Sequence, residues 1–487
     1  MTTPPNIVLI LVDDADAKVL EHAACDRIRA ALMYDGSTRV GTKATRYLVT
    51  QPLCAPSRAS LLRGRYPQNT GINSNYNAFV KFGRSGAASN IARWLKAAPR
   101  QYQTALIGKY MNHYEPNQYP RPDVGFDYWF GVGSGGYDNF KYWVWDDYRA
   151  AGDKKHQYGD DTDPANYLTD VLRGKALQFL ENQSASVPFF MMVTPTAPHW
   201  KAIPAPRHGS LYSNESYPKD SQNPSFDEDD VSDKPWYVAN QPDVSGDQIA
   251  KIDDYWRRWL RCMESVADLV EAVIAKLREK SFLDNTYVFF TSDHGYHMGE
   301  HKLAASIQQD EAEDDAPGGK NTMYEEDIRV PMWIRHPGIA GPTVDQLLGN
   351  VDLAPTFCDI AGIDLVNGPP DVLDGRSFLP LLNGSSVTWR TQYLITRGDT
   401  VTGEGKAFVG FRHKDEWVFE QLLSPAPNEI AGEYYVGLDD PATGDPFELS
   451  NGYRNLGASR LADLKSLASD YGACAGDSCR VADRRSI

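Results

Sequence analysis

Asn6-Ile7-Val8-Leu9-Ile10-Leu11-Val12, running straight into Asp13-Asp14, is the stretch on which the fold turns. A run of β-branched residues and leucine with no polar face reads as a strand covered on both sides, the setting of an inner strand in a parallel sheet. Thr104–Ile107, Pro188–Val193 and Thr286–Ser292 read as further strands. Helical patterns separate them at Ser57–Leu62, Ala88–Ala97, Tyr167–Glu181 and Gln248–Lys280. Strands alternating with helices predict an α/β fold with a large, mainly parallel central sheet flanked by helices.

In open sheets of this kind, ligands sit beyond the carboxyl ends of the strands. Those ends carry Asp13 and Asp14, Lys109 after Ala-Leu-Ile-Gly, His199 after Phe-Phe-Met-Met-Val-Thr, and Asp293-His294 after Val-Phe-Phe-Thr-Ser. All are expected on one edge. Past Leu382 the pattern changes to short segments, Tyr393–Thr396, Ala407–Phe411 and Glu416–Phe419, separated by turn residues. They predict a smaller C-terminal α+β subdomain with a short antiparallel sheet, and a division into residues 1–382 and 383–487. Between His199 and Gln248, abundant Pro, Ser and Asp without a clear period predict an irregular surface excursion.

The chain has 487 residues, enough for one large α/β domain and a smaller companion. Its net charge of −16 repels a nucleic-acid backbone, so nucleic acid is excluded as the expected partner. No apolar run approaches the roughly 18–20 residues of a membrane span, and no membrane partner is expected. Two aspartates follow Asn6–Val12 and no basic segment precedes it, so it reads as a strand and not a signal peptide. The chain as written is expected in the cytoplasm, or outside the cell if a leader has been removed. The acidic runs Phe226–Asp233 and Asp310–Asp315 read as solvated loops. Of six cysteines, only Cys474 and Cys479 lie close in sequence, as a local disulfide or as two thiols.

Cys54-Ala55-Pro56-Ser57-Arg58-Ala59-Ser60-Leu61-Leu62-Arg63-Gly64-Arg65 carries the most chemistry. Alone, a cysteine before a proline at a helix start reads as a buried thiol, or as a nucleophile activated by a helix N-terminus. An isolated Asp-Asp is commonly a turn or a cap, and an isolated lysine a solvated surface group. Taken together, Cys-x-Pro-Ser-Arg and Leu-Leu-x-Gly-Arg resemble the signature of the type I, formylglycine-dependent sulfatases of the alkaline-phosphatase superfamily. The likeness extends through Val351–Thr356, Leu373–Ser377 and Asp445–Glu448. Gly-Lys-Tyr, Asn166–Asp170, Pro-Phe-Phe-Met-Met and the late Cys-x-Gly-x-x-Cys-Arg look most like the N-acetylglucosamine-6-sulfatase/arylsulfatase branch.

The resemblance implies a sulfuric ester hydrolase in which a formylglycine-generating enzyme oxidises Cys54 to formylglycine, whose aldehyde hydrates to a geminal diol. One hydroxyl attacks sulfur and expels the alcohol, leaving a sulfated enzyme; the second then loses its proton and expels sulfate as the aldehyde reforms. It implies one divalent metal, held by Asp13, Asp14, modified Cys54, Asp293 and His294. Oxygen ligands favour calcium, and the imidazole of His294 widens the choice toward manganese. By the same resemblance Arg58 stabilises the diol, Lys109 and Lys320 hold the sulfate, and His199 is the general acid. The family often has a second histidine two or three residues after the first lysine. Met111 and Asn112 stand there, with His113 next, so that role has no clear owner. His297 and His301 read as groups around the site or on the surface.

The branch resemblance implies a small sulfated substrate, a sulfated sugar or an aryl sulfate. Gly136–Trp145, Trp200 and Trp236 are either a stacking wall for such a ring or core. Asp310–Asp315 is expected to repel polyanionic chains. Two other readings stand beside this one: a phosphonate monoester or phosphodiester hydrolase with the same nucleophile, and a non-catalytic binding protein of sulfatase fold.

Overall fold

The computed structural model describes residues 4–85, 89–133, 135–159, 163–304, 318–337, 343–365, 372–398, 407–423, 425 and 429–486. The opening run forms β1 (Asn6–Val12), every residue of it buried. Among the described residues it is an inner strand of a nine-stranded sheet. The others, in chain order, are β2 (Gly41–Lys43), β3 (Gln103–Lys109), β4 (Tyr128–Val132), β5 (Tyr142–Asp146), β6 (Lys155–Tyr158), β7 (Phe189–Thr194), β8 (Thr286–Ser292) and β9 (Met332–Arg335). Their spatial order is β2-β9-β8-β1-β7-β3-β4-β5-β6.

The expected parallel pairing is present in the middle of the sheet. β1 pairs in parallel with β7 and β8, β7 with β3, and β3 with β4. Both margins are antiparallel, formed by β9 and β2 on one side and by β5 and β6 on the other. The hydrophobic pattern revealed neither these marginal strands nor the parallel β4. β6, for example, alternates exposed and half-buried residues, so it lacks the continuous apolar run that marks a doubly covered strand.

The period of two along β1 sorts its side chains into two cores. Val8, Ile10 and Val12 face the helices α1 (Asp26–Met33), α4 (Leu168–Glu181) and α5 (Gly246–Glu279). Ile7, Leu9 and Leu11 face α2 (Cys54–Arg63), α3 (Ile91–Ala97) and α6 (Leu353–Ile360). The long α5 starts at a capping box: Gln248 N–H donates to Ser245 Oγ at 3.3 Å and Ser245 N–H donates to Gln248 Oε1 at 2.9 Å. Register then fixes the edge. Val12 lies beside Ser292, and Ile10 beside Val193, itself beside Ile107. The carboxyl ends of β1, β3, β7 and β8 are therefore level.

The C-terminal part forms the expected antiparallel sheet, with four strands where the sequence suggested three: β10 (Gln392–Arg397), β11 (Phe408–His413), β12 (Trp417–Leu422) and β13 (Gly432–Val436). Helices α7 (Ala458–Ala473) and α8 (Asp477–Ala482) complete it, and a disulfide joins Cys474 to Cys479. The segment 199–248 consists of turns and short helices as expected, but it is not simply a surface flap. Tyr217, Phe226, Val231, Tyr237 and Val238 are buried. Glu228, expected in a solvated acidic loop, is buried too; its carboxylate meets His301 Nδ1 at 2.7 Å and Lys234 Nζ at 3.1 Å. The run Asp310–Asp315 lies outside the described residues. No described helix is long and apolar enough to cross a membrane.

Arg390 ties the smaller sheet to the α/β body. Its side chain is fully buried, Nη1 and Nη2 each donate to Asp352 at 2.6 Å, and Nε lies 3.3 Å from Asp483 Oδ2. Removing one partner of such a cluster leaves uncompensated buried charge. Arg390→Met is expected to cost about 3–5 kcal/mol of stability. In urea titration this appears as a lower midpoint with an unchanged slope; an unchanged midpoint contradicts it.

Candidate active site

The level strand ends gather the expected residues into one buried cluster. At the end of β1, Asp14 adopts a left-handed backbone with φ of 65°. Asp is among the residues that tolerate this region, and the turn directs Asp13 and Asp14 off the sheet edge together. Asp14 N–H donates to Asp293 Oδ1 at 3.3 Å, which links the ends of β1 and β8.

Cys54 opens α2 after the extended residue Leu53. Pro56 fits the first turn because the amide it lacks has no intrahelical acceptor there. Ser57 Oγ donates to Asp293 O at 2.5 Å and accepts from Asn350 Nδ2 at 2.9 Å, while Ala55 N–H donates to Asn75 Oδ1 at 3.0 Å. These bonds fix the helix start against β8. One turn on, Arg58 donates from Nε to Asp293 Oδ2 at 2.8 Å and from Nη1 to Lys109 O at 2.9 Å; its Nη2 lies 3.6 Å from Asp13 Oδ2. Arg58 thus binds three strand ends together.

Lys109 Nζ donates to Asp13 Oδ2 at 2.7 Å and lies 5.0 Å from the centre of the Tyr137 ring. Lys320 Nζ is 3.1 Å from Asp14 Oδ1, 3.7 Å from Cys54 Sγ and 3.2 Å from His199 Nε2. His199 Nδ1–H donates to Trp200 O at 2.7 Å, which leaves Nε2 as the acceptor from Lys320, and the imidazole stacks on Tyr137 with ring centres 4.0 Å apart. His294 is held in the same manner, Nδ1–H to Gly295 O at 2.9 Å, so that Nε2 faces Cys54 Sγ and Asp14 Oδ1 at 3.3 Å each.

Charge in this dry cluster is tightly balanced. Burial pushes Asp13 up, but Lys109, Arg58, His199 and Lys320 outweigh it and hold the carboxyl well below its ordinary range. Burial likewise raises the Cys54 thiol well above its ordinary value, more than Lys109 and Lys320 lower it. Burial of this kind disfavours the thiolate that ordinary cysteine catalysis needs. Burial, then Lys320, pushes His199 well below the ordinary imidazole value.

Asp13, Asp14, Cys54 and His294 each offer a ligand atom, all within 4.8 Å of one another. Carboxylate oxygens with one imidazole whose second nitrogen is anchored suit a divalent cation. Asp293 lies against this group, its Oδ1 3.6 Å from His294 Nε2 and its Oδ2 bonded to Arg58. His113 is exposed and stands outside the cluster. His297 is buried and bonded to Asp327 at 2.9 Å. The aromatic candidates divide: Tyr137 reaches the site, whereas Trp200 packs edge-on against Tyr255 and Trp236 packs with the C-terminal core. Asn75 and Asn350, which position α2, carried no signal in sequence, since an isolated asparagine reads as a turn residue.

Residues 5–363 match the family model described as Sulfatase. The N-acetylglucosamine-6-sulfatase of Capra hircus is 30% identical over 98% of this chain and 85% of its own. A solved structure of a protein in complex with its substrate D-glucosamine-2-N,6-O-disulfate shares the fold with a TM-score of 0.71, at 22% identity over 98% of this chain and 99% of that one. The phosphonate monoester hydrolase of Agrobacterium radiobacter shares it with a TM-score of 0.68, at 18% identity over 96% of this chain and 95% of that one.

The ligand cluster makes divalent-cation binding testable without turnover. Calcium at about 100 times its Kd is expected to stabilise chelator-treated protein by about 2.7 kcal/mol. His294→Ala, which removes one ligand atom and leaves the Asp13–Lys109 pair intact, should abolish most of that gain in a thermal melt. A melt indifferent to calcium excludes that ion.

Proposed function

This chain belongs to the sulfatase family of sulfuric ester hydrolases, and from that premise we propose that it cleaves the sulfate ester of a small sulfated sugar through a formylglycine at position 54. The carrying observation is the setting of Cys54: a buried thiol, unsuited to act as a thiolate, at a helix start between Lys320, Asp13 and His294. In that setting a hydrated aldehyde is the better nucleophile. A formylglycine-generating enzyme would install it before or during folding, because the mature Cys54 side chain is fully buried.

Asp13, Asp14 and His294, with residue 54 and the adjacent Asp293, would hold one divalent cation, calcium by preference, which supplies Lewis acidity toward the nucleophile and the sulfuryl oxygens. Arg58 holds Asp293 and Asp13 in place. Lys109 and Lys320, whose charges both act on Cys54, offer cationic donors to the sulfuryl group as negative charge grows on it. One hydroxyl of residue 54 passes its proton to Asp13, whose Oδ1 faces Cys54 Sγ at 3.7 Å, and attacks sulfur; the bond from sulfur to the sugar oxygen breaks, and that oxygen leaves with a proton from the Lys320–His199 pair, whose nitrogens are 3.2 Å apart. The second hydroxyl of residue 54 then gives its proton to the Lys320–His199 pair, which restores the proton lost to the sugar, the C–O bond to sulfate breaks, and the aldehyde returns.

The N-acetylglucosamine-6-sulfatase relatives support a 6-sulfated glucosamine as substrate. Tyr137, stacked on His199, is suited to line the sugar ring. Mass spectrometry of the peptide containing residue 54, from protein made in its native host, should show sulfur replaced by a carbonyl oxygen with loss of two hydrogens. Rates on N-acetylglucosamine 6-sulfate and nitrophenyl sulfate should exceed those on a phenyl phosphonate monoester. An unmodified thiol removes the nucleophile, and a phosphonate preference reassigns the reaction. His199→Ala and Lys320→Ala should each lower kcat by about 10²–10⁴-fold with a smaller change in KM.

A further inference from the structure

We propose that the chain holds a second divalent cation, of the zinc or manganese kind, between His301, Glu326 and Glu448. These residues are buried, and each presents a ligand atom within 4.8 Å of the others. None of them belongs to the cluster around Cys54.

His301 is oriented as a ligand. Its Nδ1–H donates to Glu228 Oε2 at 2.7 Å, and its ring stacks on Tyr324 with centres 3.8 Å apart. Glu228 is in turn held by Lys234 at 3.1 Å. A carboxylate on one imidazole nitrogen leaves a lone pair on the other, the usual outer arrangement of a metal-bound histidine. That other atom, Nε2, is buried with no hydrogen-bond partner. Glu326 matches it. Its Oε1 takes Lys18 Nζ at 2.5 Å, while Oε2 is buried and without a partner. The third member, Glu448, spends one oxygen on Glu325 N–H at 2.9 Å.

Acceptors thus face acceptors in a dry space, which is costly unless something electrophilic lies between them. Formal charge points the same way. Lys18 is the cation paired with both Glu300 and Glu326, and Glu448 adds a third carboxylate. A cavity of about 280 Å³ reaches Glu326, one member of the cluster, and is lined also by Lys18 and Glu325. Among the described residues only three protein groups converge here, fewer than around Cys54, and one is an imidazole; so small a set suits zinc or manganese better than calcium, which takes roughly six to eight oxygen ligands.

The position gives the ion a task. His301 lies seven residues beyond His294, Glu326 six beyond Lys320, and Glu448 belongs to the segment after the last strand of the C-terminal sheet. A cation there fastens both site-bearing segments to the C-terminal part of the chain.

The test uses the full chain, stripped with chelator and reloaded with zinc alone. Anomalous diffraction at the zinc edge is expected to show a peak about 2.0–2.1 Å from His301 Nε2 and in reach of Glu326 and Glu448. A map from loaded wild-type protein with no peak there, or with zinc elsewhere only, overturns the proposal, and a direct O–H···N bond between a protonated glutamate and His301 then explains the cluster. In solution, Glu448→Gln should remove one bound zinc per chain, and Glu228→Gln, which touches no metal, should weaken that zinc by about 10–100-fold. Because Glu448→Gln can also impair folding, His294→Ala serves as the complement: it should retain the zinc at His301, and its loss there would merge the two sites and overturn the proposal.

Discussion

Parallel pairing of Asn6–Val12 between Phe189–Thr194 and Thr286–Ser292 is the constraint on which the site depends. Parallel strands send all their carboxyl ends to one edge, and a one-residue slip of β1 would exchange its two cores, placing Ile7, Leu9 and Leu11 where Val8, Ile10 and Val12 now pack. With helices on both faces such a slip is strongly opposed. The level ends then deliver two aspartates, a lysine and an Asp-His pair to a common point without any loop having to reach far. The antiparallel margins widen the sheet but take no part in this alignment.

Bringing these ends together concentrates negative charge. Asp13, Asp14 and Asp293 are buried within a few ångströms of each other, and carboxylates so placed repel strongly unless cations neutralise them. Arg58 answers for Asp293 and Asp13, Lys109 for Asp13, and Lys320 for Asp14. On the proposed function, two of these cations, Lys109 and Lys320, are also the donors an incoming sulfate would meet. On that reading stability and anion recognition are coupled; the geometry of the site is held by ion pairs as much as by packing.

The C-terminal sheet repeats this dependence on buried polar contacts. Arg390 fixes it through Asp352 and Asp483, and Tyr324 Oη donates to Glu433 Oε1 at 2.9 Å across the same junction. Glu325 and Glu326 come directly after Tyr324, so the segment that carries Lys320 is pinned on its far side by the C-terminal part. Such contacts are specific in direction, which suits a surface that must keep Lys320 in register with Cys54.

The sequence by itself determined four of the inner strands, because a doubly covered strand leaves an unbroken apolar run, and it singled out the candidate site residues, because each stands at the end of such a run or in a motif that resembles the family's. Cys54, Arg58, Lys109, His199, Lys320 and the Asp13-Asp14 and Asp293-His294 pairs were all legible in this way. The inner strand β4 and the marginal strands β2, β5, β6 and β9 were not, since short or alternating segments look like loops until a neighbour supplies their hydrogen bonds. Nor was the burial of Glu228, whose acidic surroundings read as solvated; only its pairing with His301 and Lys234, distant in the chain, makes that burial tolerable. Tyr137 was one aromatic among many until the fold stacked it on His199. Local pattern records what a residue needs from its surroundings, whereas tertiary structure alone decides which distant group meets that need.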